Sequence, residues 1–99
     1  MLALNDTLGI GVLRALGEAG CRVPDDVAVI GFDNIENGQF TLPSLSSVDP
    51  GREEIAETAV AMLLERIESG TRTPQTPRLH KAGFHIVARE STGGTGERV

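Results

Sequence analysis

Residues 27–32 read Val-Ala-Val-Ile-Gly-Phe, an apolar run without polar alternation that stops at Asp33-Asn34. Its length and branched composition predict a strand, and the missing alternation predicts cover on both faces, as in a parallel sheet packed between helices. Such a strand needs neighbours. Residues 2–4 supply a short candidate, and Asn5-Asp6 begin a helix in which Leu8, Ile10, Val12, Leu13 and Leu16 recur at broadly helical spacing. That helix is expected over residues 6–19, ended by Gly20 and barred from resuming by Pro24. A strand–helix–strand unit of this kind makes a right-handed crossover between parallel strands. The expected fold class is α/β, a parallel sheet flanked by helices.

Residues 35–44 read as irregular with one helical turn, and the stretch Leu-Pro-Ser-Leu-Ser-Ser-Val returns to extended backbone. Asp49 is placed to cap a second helix over residues 50–69, with Pro50 at its first position and Glu53, Glu54 and Glu57 near its positive end. Ile55, Ala59, Leu63 and Ile67, widened by Ala56, Val60 and Leu64, predict a broad buried face, and Ser69-Gly70 a stop. A proline-bearing loop is expected over residues 71–77, short strands over 78–80 and 84–88, and a mobile tail over 93–99.

Several function classes lose support at this level. A net charge of −5 and the absence of Trp and Tyr leave neither a basic patch for a phosphate backbone nor an aromatic platform for bases. The single Cys21 excludes an internal disulfide and fits a reducing compartment. No apolar run has the roughly 20 residues of a membrane span. The apolar opening at residues 1–4, without a polar lead-in, suggests a chain that begins inside a larger protein.

In open α/β sheets ligands bind beyond the carboxyl ends of the strands, where Asn5 and Asp33 stand on successive strands. An amide with two donors and a carboxylate with two acceptors suit a neutral ligand rich in hydroxyl or N–H groups, a sugar or a nucleobase. The competing reading is that both only cap the helix and turn that follow them. Asp6 reads as a helix cap, and Asp25-Asp26 as a solvated turn. His80 and His85 would point to opposite faces of an extended segment, with no Cys or acid cluster to complete a metal site. Ser44, Ser46 and Ser47 have no histidine partner or nucleophile elbow. No phosphate loop is present, and Gly9 and Gly11 inside the first helix are assigned to close packing. No enzyme chemistry, metal or cofactor is expected.

The segments NDTLGIGVLRALGEAGCRVPDDVAVIGFDN, LPSLSSVDP, AMLLERIESG and IVARES, in this order over residues 2–92, resemble the C-terminal part of LacI/GalR-family transcription regulators. The resemblance implies a periplasmic-binding-protein-like type I core of two lobes with an effector in the cleft, attached to an N-terminal helix-turn-helix that reads DNA. It implies that residues 1–92 supply the second part of the C-terminal lobe, a hinge crossing near residues 46–49 and a returning helix over 50–69. The helix-turn-helix and most of the first lobe would lie outside this chain. Ser46 and Ser47 stand where the family has threonines, keeping the hydroxyls.

The resemblance also carries Asn5 and Asp33 over as effector contacts, and places Arg52 at a possible pocket rim. The implied partners are a small sugar-like or nucleobase-like effector and a second copy of the chain, with DNA reached only through the missing domain and no membrane. Family dimers form through the C-terminal lobe, which makes Ile10, Leu13, Phe40 and Leu42 candidates for a two-fold apolar patch. Ile10 and Phe40 stand open between this role and the lobe's own core, to which Leu13 is the better fit. A cytoplasmic location follows. The alternative is the sugar-binding protein of a transport system, which shares the core but is exported; a receiver-like or nucleotide-binding enzyme domain fits least, for want of a phosphate loop.

Overall fold

The chain from Asn5 to Ala19 turns helical because Asn5, in extended backbone, accepts a hydrogen bond from the Leu8 N–H and so satisfies one of the orphan donors of the first turn. In the computed structural model, which describes residues 1–70 and 76–94, this helix, α1, spans Asp6–Glu18. Three strands follow in one sheet of order β1-β2-β3: β1 over Ile30–Phe32, β2 over Ser46–Asp49 and β3 over His85–Val87. Between β1 and β2 a 3-10 helix runs over Glu36–Phe40, the one helical turn expected there.

β1 and β2 are parallel, with Ile30 opposite Ser46 and Phe32 opposite Val48. The N-terminal segment lies parallel to β1 as well, through a bridge between Leu2 and Ile30 and a bond from the Ala3 N–H to the Ile30 carbonyl. β3 departs from the expected all-parallel sheet. It pairs antiparallel to β2, with Asp49 opposite His85, so the sheet is mixed. The connection from β2 to β3 carries the whole of α2 and is long enough to return the chain in either direction, so local sequence does not fix the sense of this pairing.

The expected cover on both faces of β1 is corrected in the same way. Val29 and Gly31 are buried while Ala28 and Phe32 are exposed, a period of two that the apolar sequence concealed. The buried face packs under α1, where Leu13, Val29 and Leu45 form the core, with Ile10, Val12, Leu16, Val23 and Val27 around them. Gly9 permits this approach, because a Cβ there would meet the Leu45 side chain at 2.9 Å. Gly11 faces open space and has no such role.

Contacts divide the chain into two units, one formed by Met1–Pro50 with the chain from Phe84 onward, the other by Gly51–Gly83. The second unit is built on α2, Arg52–Ser69, ended by Gly70 in the left-handed conformation. Its N-cap position is Gly51, with φ 79° and no side-chain cap, which corrects the assignment of Asp49 and Pro50 to the helix start. Asp49 is held in β2 instead, its carboxylate engaged by Asn34. The expected buried face of α2 is also corrected: the helix has no buried residue, and Ile55, Val60, Leu63, Leu64 and Ile67 are exposed. An amphipathic pattern states which face requires cover, not that this stretch of chain supplies it.

Residues 78–80 form no strand. Arg78 pairs with Glu65 at 2.9 Å, His80 lies 3.8 Å from Glu54, and the Gly83 N–H donates to Glu54, so side-chain contacts with α2 take the place of a ladder. Of the expected loop and tail, residues 71–75 and 95–99 lie outside the described residues. Gly93 and Gly94 donate to the Glu90 and Arg89 carbonyls, closing a 3-10 turn over Glu90–Thr92. Among the described residues no helix is long and apolar enough to cross a membrane.

Candidate functional site

The carboxyl end of β1 is where the backbone leaves ordinary geometry. Asp33 has φ 103° and Asn34 φ 55°, positive values that residues with a Cβ adopt at a cost of order 1–3 kcal/mol each. Three successive N–H groups hold this turn. Asp33 donates to the Val48 carbonyl at 2.9 Å, Asn34 to Ser47 Oγ at 2.9 Å and Ile35 to Asp6 Oδ2 at 2.8 Å. Ser47 Oγ in turn donates to Asp6 Oδ1 at 2.8 Å. Asp6 is therefore a fully buried carboxylate that ties α1, the β1 turn and β2 together, beyond the helix-capping role its position suggests.

Gly31 makes room for it. A Cβ at Gly31 would collide with Asp6 Oδ1, so the one residue without a side chain in the apolar run is set by the acid beside it.

The Asn34 side chain is bound at both ends. Its Nδ2 donates to Asp49 Oδ2 at 3.0 Å, and its Oδ1 accepts from Arg89 Nη2 at 2.8 Å. Arg89 Nη1 reaches the Leu45 carbonyl at 2.7 Å. His85 Nε2 is buried 3.5 Å from Asp49 Oδ2, beyond hydrogen-bond length, and has no hydrogen-bond partner among the described residues.

Asp33 differs from all of these. Its carboxylate is partly buried and has no hydrogen-bond or ion-pair partner among the described residues, so its oxygens remain available to a ligand. Asn5 uses its Oδ1 on the Leu8 N–H, while its amide donors have no partner among the described residues. The two residues stand at the carboxyl ends of neighbouring parallel segments, in the first unit. Arg52 is the exposed first residue of α2, in the second. Asp6, Asp33 and Asp49 lie at or beside the turn, and the Arg89 guanidinium donates to the Asn34 and Leu45 oxygens.

Of the apolar candidates, Leu13 is buried in the core. Ile10, Leu13 and Leu42 nevertheless line one groove of about 580 Å³ between α1 and the chain before β2, with Gly17 and Thr41. Phe40 and Leu42 are 73% and 93% exposed.

Sequence reasoning gave Asp6 and Asn34 no chemistry and read Arg89 only as part of a motif. The signal lay in Ser46-Ser47. Two hydroxyls in a strand that must be buried require partners, and these are Arg89, Asn34 and Asp6. No group of three or more His, Cys, Asp or Glu able to hold a metal occurs among the described residues.

Residues 1–92 match the model of the periplasmic binding protein-like domain. A curated relative, the HTH-type transcriptional repressor PurR of Yersinia enterocolitica, is 43% identical over 76 residues, which is 77% of this chain and 22% of the relative. Among solved structures, a LacI-family transcriptional regulator from Sanguibacter keddieii is 50% identical with a TM-score of 0.87, the match covering 94% of this chain and 35% of that one. A LacI-family regulator from Arthrobacter sp. FB24, solved with lactose, is 38% identical with a TM-score of 0.79, covering 92% of this chain and 33% of that one. The chain thus spans between a fifth and about a third of the length of these relatives.

Proposed function

The chain belongs to the periplasmic binding protein-like family, in its LacI-type regulator branch, and from that premise we propose that it is part of the effector-sensing core of a cytoplasmic transcriptional repressor. Asp33, with Asn5 beside it, accepts hydrogen bonds from a neutral, hydroxyl-rich or nucleobase-like effector. The observation that carries this reading is the Asp33 carboxylate, partnerless among the described residues and set on a positive-φ turn that a buried network holds in place. The lactose complex of the Arthrobacter relative supports a sugar as the effector class. The relatives reported are regulators, which sets aside the alternative of a transporter's sugar-binding protein.

DNA contact falls to a helix-turn-helix elsewhere in the regulator, in keeping with the acidic charge of this chain. The effector acts by binding one arrangement of the core more tightly than the other; taking the population from 1:99 to 99:1 requires about 5.5 kcal/mol of differential affinity. Dimerisation through the groove of Ile10 and Leu42, with Phe40, belongs to the same proposal.

Calorimetric titration of the whole regulator with neutral sugars, lactose first, tests the Asp33 role. A hydrogen bond to a charged group contributes about 1.5–3 kcal/mol, so Asp33→Asn weakens binding roughly tenfold to a hundredfold. Equal affinity of variant and wild type refutes the assignment.

A further inference from the structure

Arg89 is a cation placed on neutral acceptors. Its guanidinium donates to the Leu45 carbonyl at 2.7 Å and to Asn34 Oδ1 at 2.8 Å, and it has no carboxylate partner among the described residues. Its own backbone N–H donates to Ser46 Oγ at 2.8 Å, so the residue is fixed to β2 before its side chain reaches the turn. Charge-assisted bonds are the stronger class, and a planar fork can hold two acceptors from different segments at once, which an ammonium on a flexible stem cannot do with the same geometry.

What the fork holds is the Asn34 side chain, clamped between Arg89 and Asp49 while its backbone is left-handed. Asp33 lies between this clamp and its own ladder bond to Val48. With no partner of its own, the Asp33 carboxylate takes its direction from the backbone, whose φ of 103° is held between the ladder bond to Val48 and Asn34, itself fixed through its N–H by Ser47 and through its side chain by Arg89 and Asp49. We infer that Arg89 is a positioning residue for Asp33, acting through the Asn34 side chain to hold the effector carboxylate in its strained orientation. The inference rests on the proposed effector role of Asp33 for its functional meaning, though not for its geometry.

The test is a double-mutant cycle on the full chain without ligand, reading the three-bond HN–Hα coupling of Asp33, which depends directly on φ. Arg89→Lys keeps the charge and loses the fork. Asn34→Gly keeps a residue at ease with positive φ and loses the clamped side chain. Each variant is expected to move the coupling at residue 33 from its positive-φ value toward that of extended backbone, and the double variant to move it no further than either alone. A coupling unchanged in either single variant overturns the inference, as do additive effects. Should Arg89→Lys fail to fold, Asn34→Gly alone decides. Lactose titration of the same variants separates the two proposals. Roughly tenfold weaker binding, the equivalent of one charge-assisted bond, is expected where the coupling moves. A moved coupling with affinity insensitive even to Asp33→Asn would leave the positioning intact and remove the effector role.

Discussion

Ser91→Ala isolates one hydroxyl on which two strands depend. Ser91 is fully buried, and its Oγ donates to the Val29 carbonyl at 2.6 Å while accepting from the Ser46 N–H at 2.7 Å. Val29 precedes β1 and Ser46 opens β2, so the hydroxyl bridges the two segments where their parallel pairing begins. Alanine takes one buried hydrogen-bond partner from each of these two backbone groups, and the space of one oxygen is too small to admit a water in its place. An unsatisfied buried donor or acceptor costs about 1–3 kcal/mol. The N–H is the stricter of the two, since a carbonyl tolerates under-satisfaction better. The expected loss is about 1–3 kcal/mol, a sizeable fraction of the roughly 5–15 kcal/mol available to a chain of this length. Urea unfolding followed by circular dichroism reads it as a lower midpoint at unchanged slope. In thermal unfolding, each kcal/mol corresponds to about 4–8 °C at this size. A loss below about 0.5 kcal/mol would show that the two groups find other partners and would refute the argument.

The Glu90 carboxyl is held below its ordinary value chiefly by the Ser44 backbone N–H, with the Ser44 side chain adding to the effect. A lowered folded-state pKa stabilises fully above the unfolded value and loses that contribution as pH falls through the folded one. Glu90→Gln should therefore be less stable than wild type at neutral pH, with the difference closing in acid; urea melts showing a pH-independent gap would contradict this. Leu42→Asp, at a residue 93% exposed, should leave folding intact and lower the mass measured by light scattering at tens of micromolar if the groove with Ile10 is a two-fold surface. A strictly monomeric wild type removes that surface.

Local signals are written in short stretches of sequence and were legible there. Asn5 caps α1, Gly70 ends α2 in the left-handed conformation, and the acids of the first turn sit at the positive end of α2, each decided by neighbours within a few residues. The strand ending at Phe32 and the polar pair beyond it were legible too, because an apolar run halted by Asp-Asn places a carboxylate at the end of a strand whatever surrounds it. Asp49 misled for a related reason. Its position suited a cap, but a β2–β3 ladder and a bond from Asn34 hold it where the next helix has not yet begun.

The sequence by itself determined that the chain alternates strand and helix, that its net charge is negative, and that a carboxylate stands at a strand end, since periodicity, charge and punctuation are properties of the chain read in order. Only the tertiary structure decided that β3 runs antiparallel, that one face of β1 and the apolar stripe of α2 are uncovered, and that Asp6 is a buried anchor. It also decided that Arg89, 55 positions after Asn34, is the residue that grips it. Which strand pairs with which, and which acceptor meets which donor, depends on segments brought together across the chain. A hydroxyl or guanidinium states what it can bond, but only the fold supplies the partner.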